Sequence, residues 1–177
     1  MSISEQEEIA RAQRDAQAFA PLYDRYFAPI FRFLHRRAGD QELTADLTQQ
    51  TFLKAMLALP RYQPRGLPFQ AWLYRIALNE LRMHWRKRKE TVVELSFLEV
   101  RGLGEEIGLQ EADEDMQRLA RALSALPEEK ARLIELRFMD GLSFAEVGQV
   151  LDIGEDAAKM RTHRVLQGLR EKLGPRT

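Results

Sequence analysis

The sequence predicts an all-α protein of two small helical domains joined by an acidic linker, the C-terminal domain being a helix-turn-helix. Three observations predict it. Strand-like period-2 alternation is missing from the sequence, and Leu, Ala, Glu, Gln and Arg dominate it. Helix-start signals precede apolar-periodic runs in both halves: Ser4 with Glu7, and Ser143 with Glu146, have the spacing of capping boxes. Residues 90–115 carry nine acids against Arg101 alone, with three glycines and no sustained periodicity, so they divide the chain into 1–89 and 116–177. With 177 residues, 45% of them hydrophobic, the chain can bury two small cores. It has no cysteine, which excludes disulfides and thiolate metal sites and suits a reducing cytoplasm. No apolar run approaches the roughly 20 residues of a membrane span, so no membrane insertion is expected. The polar, acidic start MSISEQEEIARAQRDAQ is not a signal peptide.

The N-terminal block begins with the Ser4-capped helix. Helical patterns follow in AFAPLYDRYFAPIFRFLHRRAG and QELTADLTQQTFLKAMLAL. In the second of these, Asp46, Gln49 and Gln50 stand at i, i+3 and i+4 and share one face, which composition alone reads as solvated. The loop PRYQPRGLP, with three prolines and a glycine, breaks the pattern. A long helix follows from about Phe69 to Arg88. At 100° per residue, Arg75, Asn79, Arg82, Arg86 and Lys89 line one stripe of it, edged by Trp72 and Met83, with Leu73, Ala77 and Leu81 on the far side. Residues 82–89, RMHWRKRK, hold five cations and no acid. Aligned cations beside an aromatic suit a phosphate track next to unstacked bases. The plainer alternative is a solvated stripe with Trp72 in the core.

The linker composition, with a net charge of 1 − 9 = −8, does not favour a core of its own, so the segment is expected to be mobile. In the C-terminal block, Pro127 suits a first helical turn, with Glu128 and Glu129 near its positive end. Asp140-Gly141 signals a turn, and Leu142 with Val147 can staple the next helix beside its Ser143 cap. That helix, FAEVGQVL, is short. DIG turns the chain, Asp152 being among the few non-glycine types that tolerate a left-handed backbone. A longer basic helix runs from Glu155 to Leu173. A short helix, a tight turn and a longer basic helix make a helix-turn-helix. On the last helix, Ala158, Thr162, Val165, Leu166, Leu169 and Leu173 fall on one side. Asp156, Met160, His163, Arg164 and Gln167 fall opposite, flanked by Lys159 and Arg161, on the surface that would enter a major groove. The formal net charge is zero, yet residues 159–176 carry six cations and one acid. The neutral sum hides two basic segments offset by acidic ones.

These residues resemble a known family. LPEEKARLIELRFMDGLSFAEVGQVLDIGEDAAKMRTHRVLQGLREKL resembles region 4 of the extracytoplasmic-function sigma factors, which binds the −35 promoter element. The resemblance implies that Lys159, Met160, His163 and Arg164, with Arg161 beside them, face DNA. PFQAWLYRIALNELRMHWRKRKE resembles sigma region 2.3–2.4, which melts and captures the −10 element. It implies a −10 surface of Arg61, Tyr62, Arg65, Trp72, Arg75, Asn79, Arg82, Arg86, Lys87 and Lys89, with the loop Arg61 to Phe69 holding a flipped base. Base capture of this kind costs a few kcal/mol of unstacking that a pocket must offset, about what base flipping requires elsewhere. DLTQQTFLKA resembles region 2.2, which docks on the coiled coil of the polymerase largest subunit. That implies polymerase contacts at Asp46, Gln49, Gln50 and Phe52. AFAPLYDRYFAPIFRFL resembles region 2.1 and reads as packing. The sequence departs from the family at Gln50, commonly glutamate, at Gly148, commonly alanine, at Thr162, normally apolar, and at Asp156 and the GED entry to the last helix. The resemblance further implies RNA polymerase core, promoter DNA and an anti-sigma factor as partners, and a linker that either tethers the readers or mimics a nucleic-acid backbone in a basic channel.

Two other classes of function fit the sequence less well. Catalysis lacks support: His35, His84 and His163 are scattered, and no phosphate loop or nucleophile constellation is present, so no cofactor is expected. Glu80 and His84 at i, i+4 are compatible with a metal but read more simply as a helix-surface pair. A polymerase-independent helix-turn-helix regulator would need a ligand pocket or dimer face in the first half and would not explain the 75–89 stripe.

Overall fold

In a computed structural model of the chain, residues 3–64, 68–85, 97–109 and 113–174 are described, and every regular element among them is helical. The chain divides into two compact units, residues 1–93 and 94–177.

The first unit holds four α-helices. Helix α1 (Glu5–Arg14) starts with the Ser4–Glu7 capping box and buries Ile9 and Ala12. Its polar side is tied to the next helix: the Tyr26 hydroxyl donates to Glu5, and Arg25 pairs with Glu8 at 2.7 Å. After a 3-10 turn at Ala16–Phe19, α2 (Ala20–Ala38) runs to Gly39, whose φ of 67° supplies the left-handed stop that favours glycine. Asp40 then caps α3 (Gln41–Ala58) by accepting from the Glu42 amide at 2.7 Å. A 3-10 turn, Leu59–Arg61, leads to the Pro/Gly loop and to α4 (Phe69–Trp85). The core between α2, α3 and α4 is Leu22, Ile30, Phe33, Leu34, Leu47, Ala55, Leu73, Tyr74, Ala77, Leu78 and Leu81. Three threonines of α3 are buried in it. Their hydroxyls donate one turn back, Thr44 to Asp40, Thr48 to Thr44 and Thr51 to Leu47, at 2.6–2.8 Å, so none needs a distant partner. Buried Glu80 of α4 takes Lys54 of α3 as its ion-pair partner, which fits a structural role better than the Glu80–His84 metal pair.

The second unit begins earlier than the sequence predicts. Residues Phe97–Glu106, read above as part of an unstructured linker, form α5. Val100, Leu103 and Ile107 are buried. Gly104 explains how: a Cβ there would lie 2.7 Å from the Met116 methyl of α6 (Asp113–Ser124), so glycine permits the close approach of the two helices. The Arg170 side chain also donates to the Glu106 carbonyl at 3.4 Å. Helix α7 (Glu128–Ile134) ends in a π turn, Glu135–Met139, where the Asp140 amide reaches the Glu135 carbonyl at 2.9 Å. Its fully buried Arg132 pairs with buried Glu135 at 3.1 Å and with Glu128 at 3.6 Å. Helix α8 (Phe144–Leu151) has the Ser143–Glu146 capping box, and the stapling residues Leu142 and Val147 are fully buried. Helix α9 (Glu155–Leu173) completes the unit.

Candidate nucleic-acid and polymerase surfaces

The turn between α8 and α9 sets how α9 is presented. Asp152 closes α8 in the left-handed region, φ 57° and ψ 45°, at the position where an acid was expected to tolerate it. The Ile153 amide donates to the Gly148 carbonyl at 2.8 Å. At Gly148 itself an added Cβ would stand 2.7 Å from the Ile153 carbonyl oxygen and 3.2–3.3 Å from two further backbone atoms of the turn. The departure from alanine at this position therefore coincides with a turn packed directly on the helix backbone.

Helix α9 buries Ala158, Thr162, Val165, Leu166, Leu169 and Leu173, the six positions predicted for its core. The Thr162 hydroxyl donates to the Ala158 carbonyl at 2.7 Å, so a polar residue at a normally apolar site is satisfied within its own helix. Lys159, Met160, Arg161, His163 and Arg164 are all exposed on the outward side, together with Asp156 and Gln167. Met160 is 55% exposed, a large apolar side chain in the middle of a charged row. That surface can take phosphate oxygens on its cations and present His163, Met160 and Arg164 to base edges.

In the first unit, Arg75, Asn79 and Arg82 are exposed along α4, and Leu73, Ala77 and Leu81 are buried behind them. Arg61 is exposed, and Trp72 is half-buried, its ring 4.7 Å from that of Tyr62 and 5.4 Å from that of Phe69. Arg65, Arg86, Lys87 and Lys89 lie outside the described residues. Tyr62 requires a correction: only 7% exposed, it packs edge-on against Phe69 and under Trp72. Burial, and then the Glu5 carboxylate, push its phenol above the ordinary tyrosine range. It supports the surface from below. Gln13 of α1 adds to this support, donating to the Leu59 and Tyr62 carbonyls at 3.1 and 2.9 Å.

On α3, Asp46, Gln49 and Gln50 are exposed and share a face. Phe52 does not join them. It is 4% exposed, with its ring against Phe19 and Tyr23, because it lies about 240° around the helix from Asp46. Leu53 and Leu57 fall within about 20° of Asp46 instead, and they are 56% and 73% exposed. Sequence reasoning missed both; extending the wheel of Asp46 by two and then three turns would have found them.

Family models match a stretch of each unit. Residues 22–91 match Sigma-70 region 2, and residues 122–171 match Sigma-70, region 4. CarQ of Myxococcus xanthus, an RNA polymerase sigma factor, is 32% identical across 89% of this chain and 90% of its own. This chain belongs to the extracytoplasmic-function sigma factors of the sigma-70 family. The sigma factor is accordingly a transcription initiation protein that works with RNA polymerase, and its family is a class of transcription factor. BldN of Streptomyces coelicolor, an ECF RNA polymerase sigma factor, is 31% identical over 91% of the chain, which spans 62% of BldN's length. In fold, the sigma factor resembles CnrH, solved in complex with the cytosolic domain of CnrY, with a TM-score of 0.66 and 24% identity over 95% of this chain and 97% of that one. Among the described residues, no helix is long and apolar enough to cross a membrane.

Proposed function

We propose that this sigma factor binds polymerase core through one face of α3 and reads a promoter with α4 and α9. Asp46, Gln49 and Gln50, extended by Leu53 and Leu57, dock on the coiled coil of the polymerase largest subunit. Arg61, Trp72, Arg75, Asn79 and Arg82 engage the −10 element, joined by Arg65, Arg86, Lys87 and Lys89 of the adjoining segments. Lys159, Met160, Arg161, His163 and Arg164 engage the −35 element. An anti-sigma factor holds the protein inactive in the cytoplasm until a signal releases it; in support, the sigma factor RpoE of Bartonella quintana, similar in fold, is solved in complex with the anti-sigma factor NepR.

The observation that carries this reading is the outward row of α9. Five side chains suited to groove contact are exposed together on the second helix of a tight helix-turn-helix, and the opposite side of that helix is core. The test is reconstitution. The purified chain is expected to co-elute with polymerase core and to direct initiation from a defined promoter, with a pre-melted −10 element relieving defects in α4. A chain that binds promoter DNA unaided and ignores core would instead be a polymerase-independent regulator.

A further inference from the structure

His163 stands in the third turn of α9, exposed in the outward row between Met160 and Arg164. Its ring meets that of Phe144, the first residue of α8, edge to face, with centroids 6.0 Å apart and planes at 82°. The Phe144 ring is held in turn. The Arg137 guanidinium carbon lies 4.6 Å from its centroid, within cation–π range. The same guanidinium donates to the Leu142 carbonyl at 2.9 Å, which pins it to the turn preceding α8. The π turn closing α7 thus holds the first side chain of α8, and that side chain meets one exposed imidazole of α9.

A side chain on an open helix face samples several rotamers. Immobilising it on DNA then costs freedom at the moment of binding, and a contact fixed beforehand avoids that loss. We propose that Phe144 is a positioning residue of the −35 reader: its ring, clamped by Arg137, holds the His163 imidazole in one orientation before DNA arrives. The proposal rests on α9 as the DNA-facing helix. It makes base preference at one position depend on a residue of the preceding helix that need not touch DNA.

The experiment uses holoenzyme reconstituted from the full chain and a panel of promoters with single base-pair changes across the −35 element. Binding is compared for wild type, Phe144→Leu, Phe144→Tyr, His163→Ala, Arg137→Gln and the Phe144→Leu/His163→Ala pair. Phe144→Leu is expected to relax preference at the base pair that His163→Ala relaxes, by about 2- to 10-fold, the factor an aromatic pair represents. Phe144→Tyr is expected to keep wild-type preference. In the His163→Ala background Phe144→Leu is expected to add nothing, since the two act through one contact. Arg137→Gln, which keeps a donor for the Leu142 carbonyl but removes the charge, is expected to give a smaller loss at the same base pair. It decides the matter if Phe144→Leu does not fold. Uniform weakening across the panel, or a Phe144→Leu effect that persists without His163, would overturn the positioning role and leave Phe144 a packing residue. If His163→Ala leaves every preference intact, both the His163 contact and its positioning fail. If His163→Ala relaxes preference while Phe144→Leu and Arg137→Gln do not, the positioning role alone fails.

Discussion

Replacing Gly148 with alanine sets two local effects against each other. Glycine inside a helix costs about 1 kcal/mol relative to alanine, so Gly148→Ala gains that much in α8 from propensity alone. The structure opposes the gain. The new Cβ would meet the Ile153 carbonyl oxygen at 2.7 Å and two more backbone atoms of the turn at 3.2–3.3 Å. Backbone yields less easily than a side-chain tip, and the hydrogen bond from the Ile153 amide to the Gly148 carbonyl ties the two segments together. Overpacking of this kind costs about 1–3 kcal/mol. The net expectation is a loss of about 1 kcal/mol, which lowers the midpoint of a domain this size by about 4–8 °C. Gly168 supplies the control. It is exposed on α9, and its added Cβ meets nothing within 4 Å, so Gly168→Ala is expected to stabilise by about 1 kcal/mol. Thermal unfolding of both variants, with hydrogen exchange at α8 and α9 amides to localise the effect, measures the difference. Equal stabilisation by the two substitutions would refute the reasoning, because the close approach would then have no energetic consequence.

Arg75→Ala combined with Arg82→Ala is expected to weaken promoter binding and to reduce the slope of log affinity against log salt by about 1.8, near 0.9 per lost phosphate contact; an unchanged slope in the folded double variant would remove both from the phosphate track. Asp46→Lys with Gln49→Ala is expected to abolish core binding at unchanged helicity, and Leu57→Ser alone to weaken it, as read by co-elution with polymerase core. Arg164→Ala is expected to relax preference at one −35 position by about 1–3 kcal/mol if it makes a bidentate base contact, whereas uniform weakening would make it a phosphate contact. Burial, and then the hydrogen bond to Glu5, raise the Tyr26 phenol pKa on folding. Its stabilising contribution is therefore complete below the unfolded value of about 10 and is lost as pH rises beyond it, so Tyr26→Phe is expected to flatten stability against pH in the alkaline range.

What could be read without coordinates was what is local. The capping boxes at Ser4 and Ser143 and the left-handed Asp152 depend on residues a few positions apart, and each stands where its chemistry put it. The core face of α9 was legible because six residues at helical period carry it, Thr162 included. What escaped depends on distant neighbours. Phe52 and Tyr62 look like surface aromatics in an interaction motif, but Phe19 and Tyr23 cover one, and Phe69 and Trp72 the other. The π turn after α7 has no composition signature. Helix α5 was hidden by Gly102 and Gly104, which lower local helix propensity; Gly104 is there because Met116 must come close.

Helix α5 also changes what the acidic segment can mean. Of its nine acids, Glu99, Glu105 and Glu106 sit on α5, and Asp113, Glu114 and Asp115 occupy the first turn of α6. The last three favour the positive end of their helix, and Glu105 pairs with Arg101 at 3.6 Å and Asp115 with Arg118 at 3.3 Å. Six acids thus have places inside the second unit, while Glu90, Glu94 and Glu111 lie outside the described residues. Exchanging all nine for serine or glutamine would therefore disturb α5 and α6 along with any channel contact. A weakened holoenzyme in that variant could come from loosened packing behind α9, to which Arg170 links α5 through the Glu106 carbonyl. Neutralising Glu90, Glu94 and Glu111 alone separates the two causes. A pure tether needs only reach and tolerates those three changes, whereas a nucleic-acid mimic loses three charges and releases short transcripts in a different pattern.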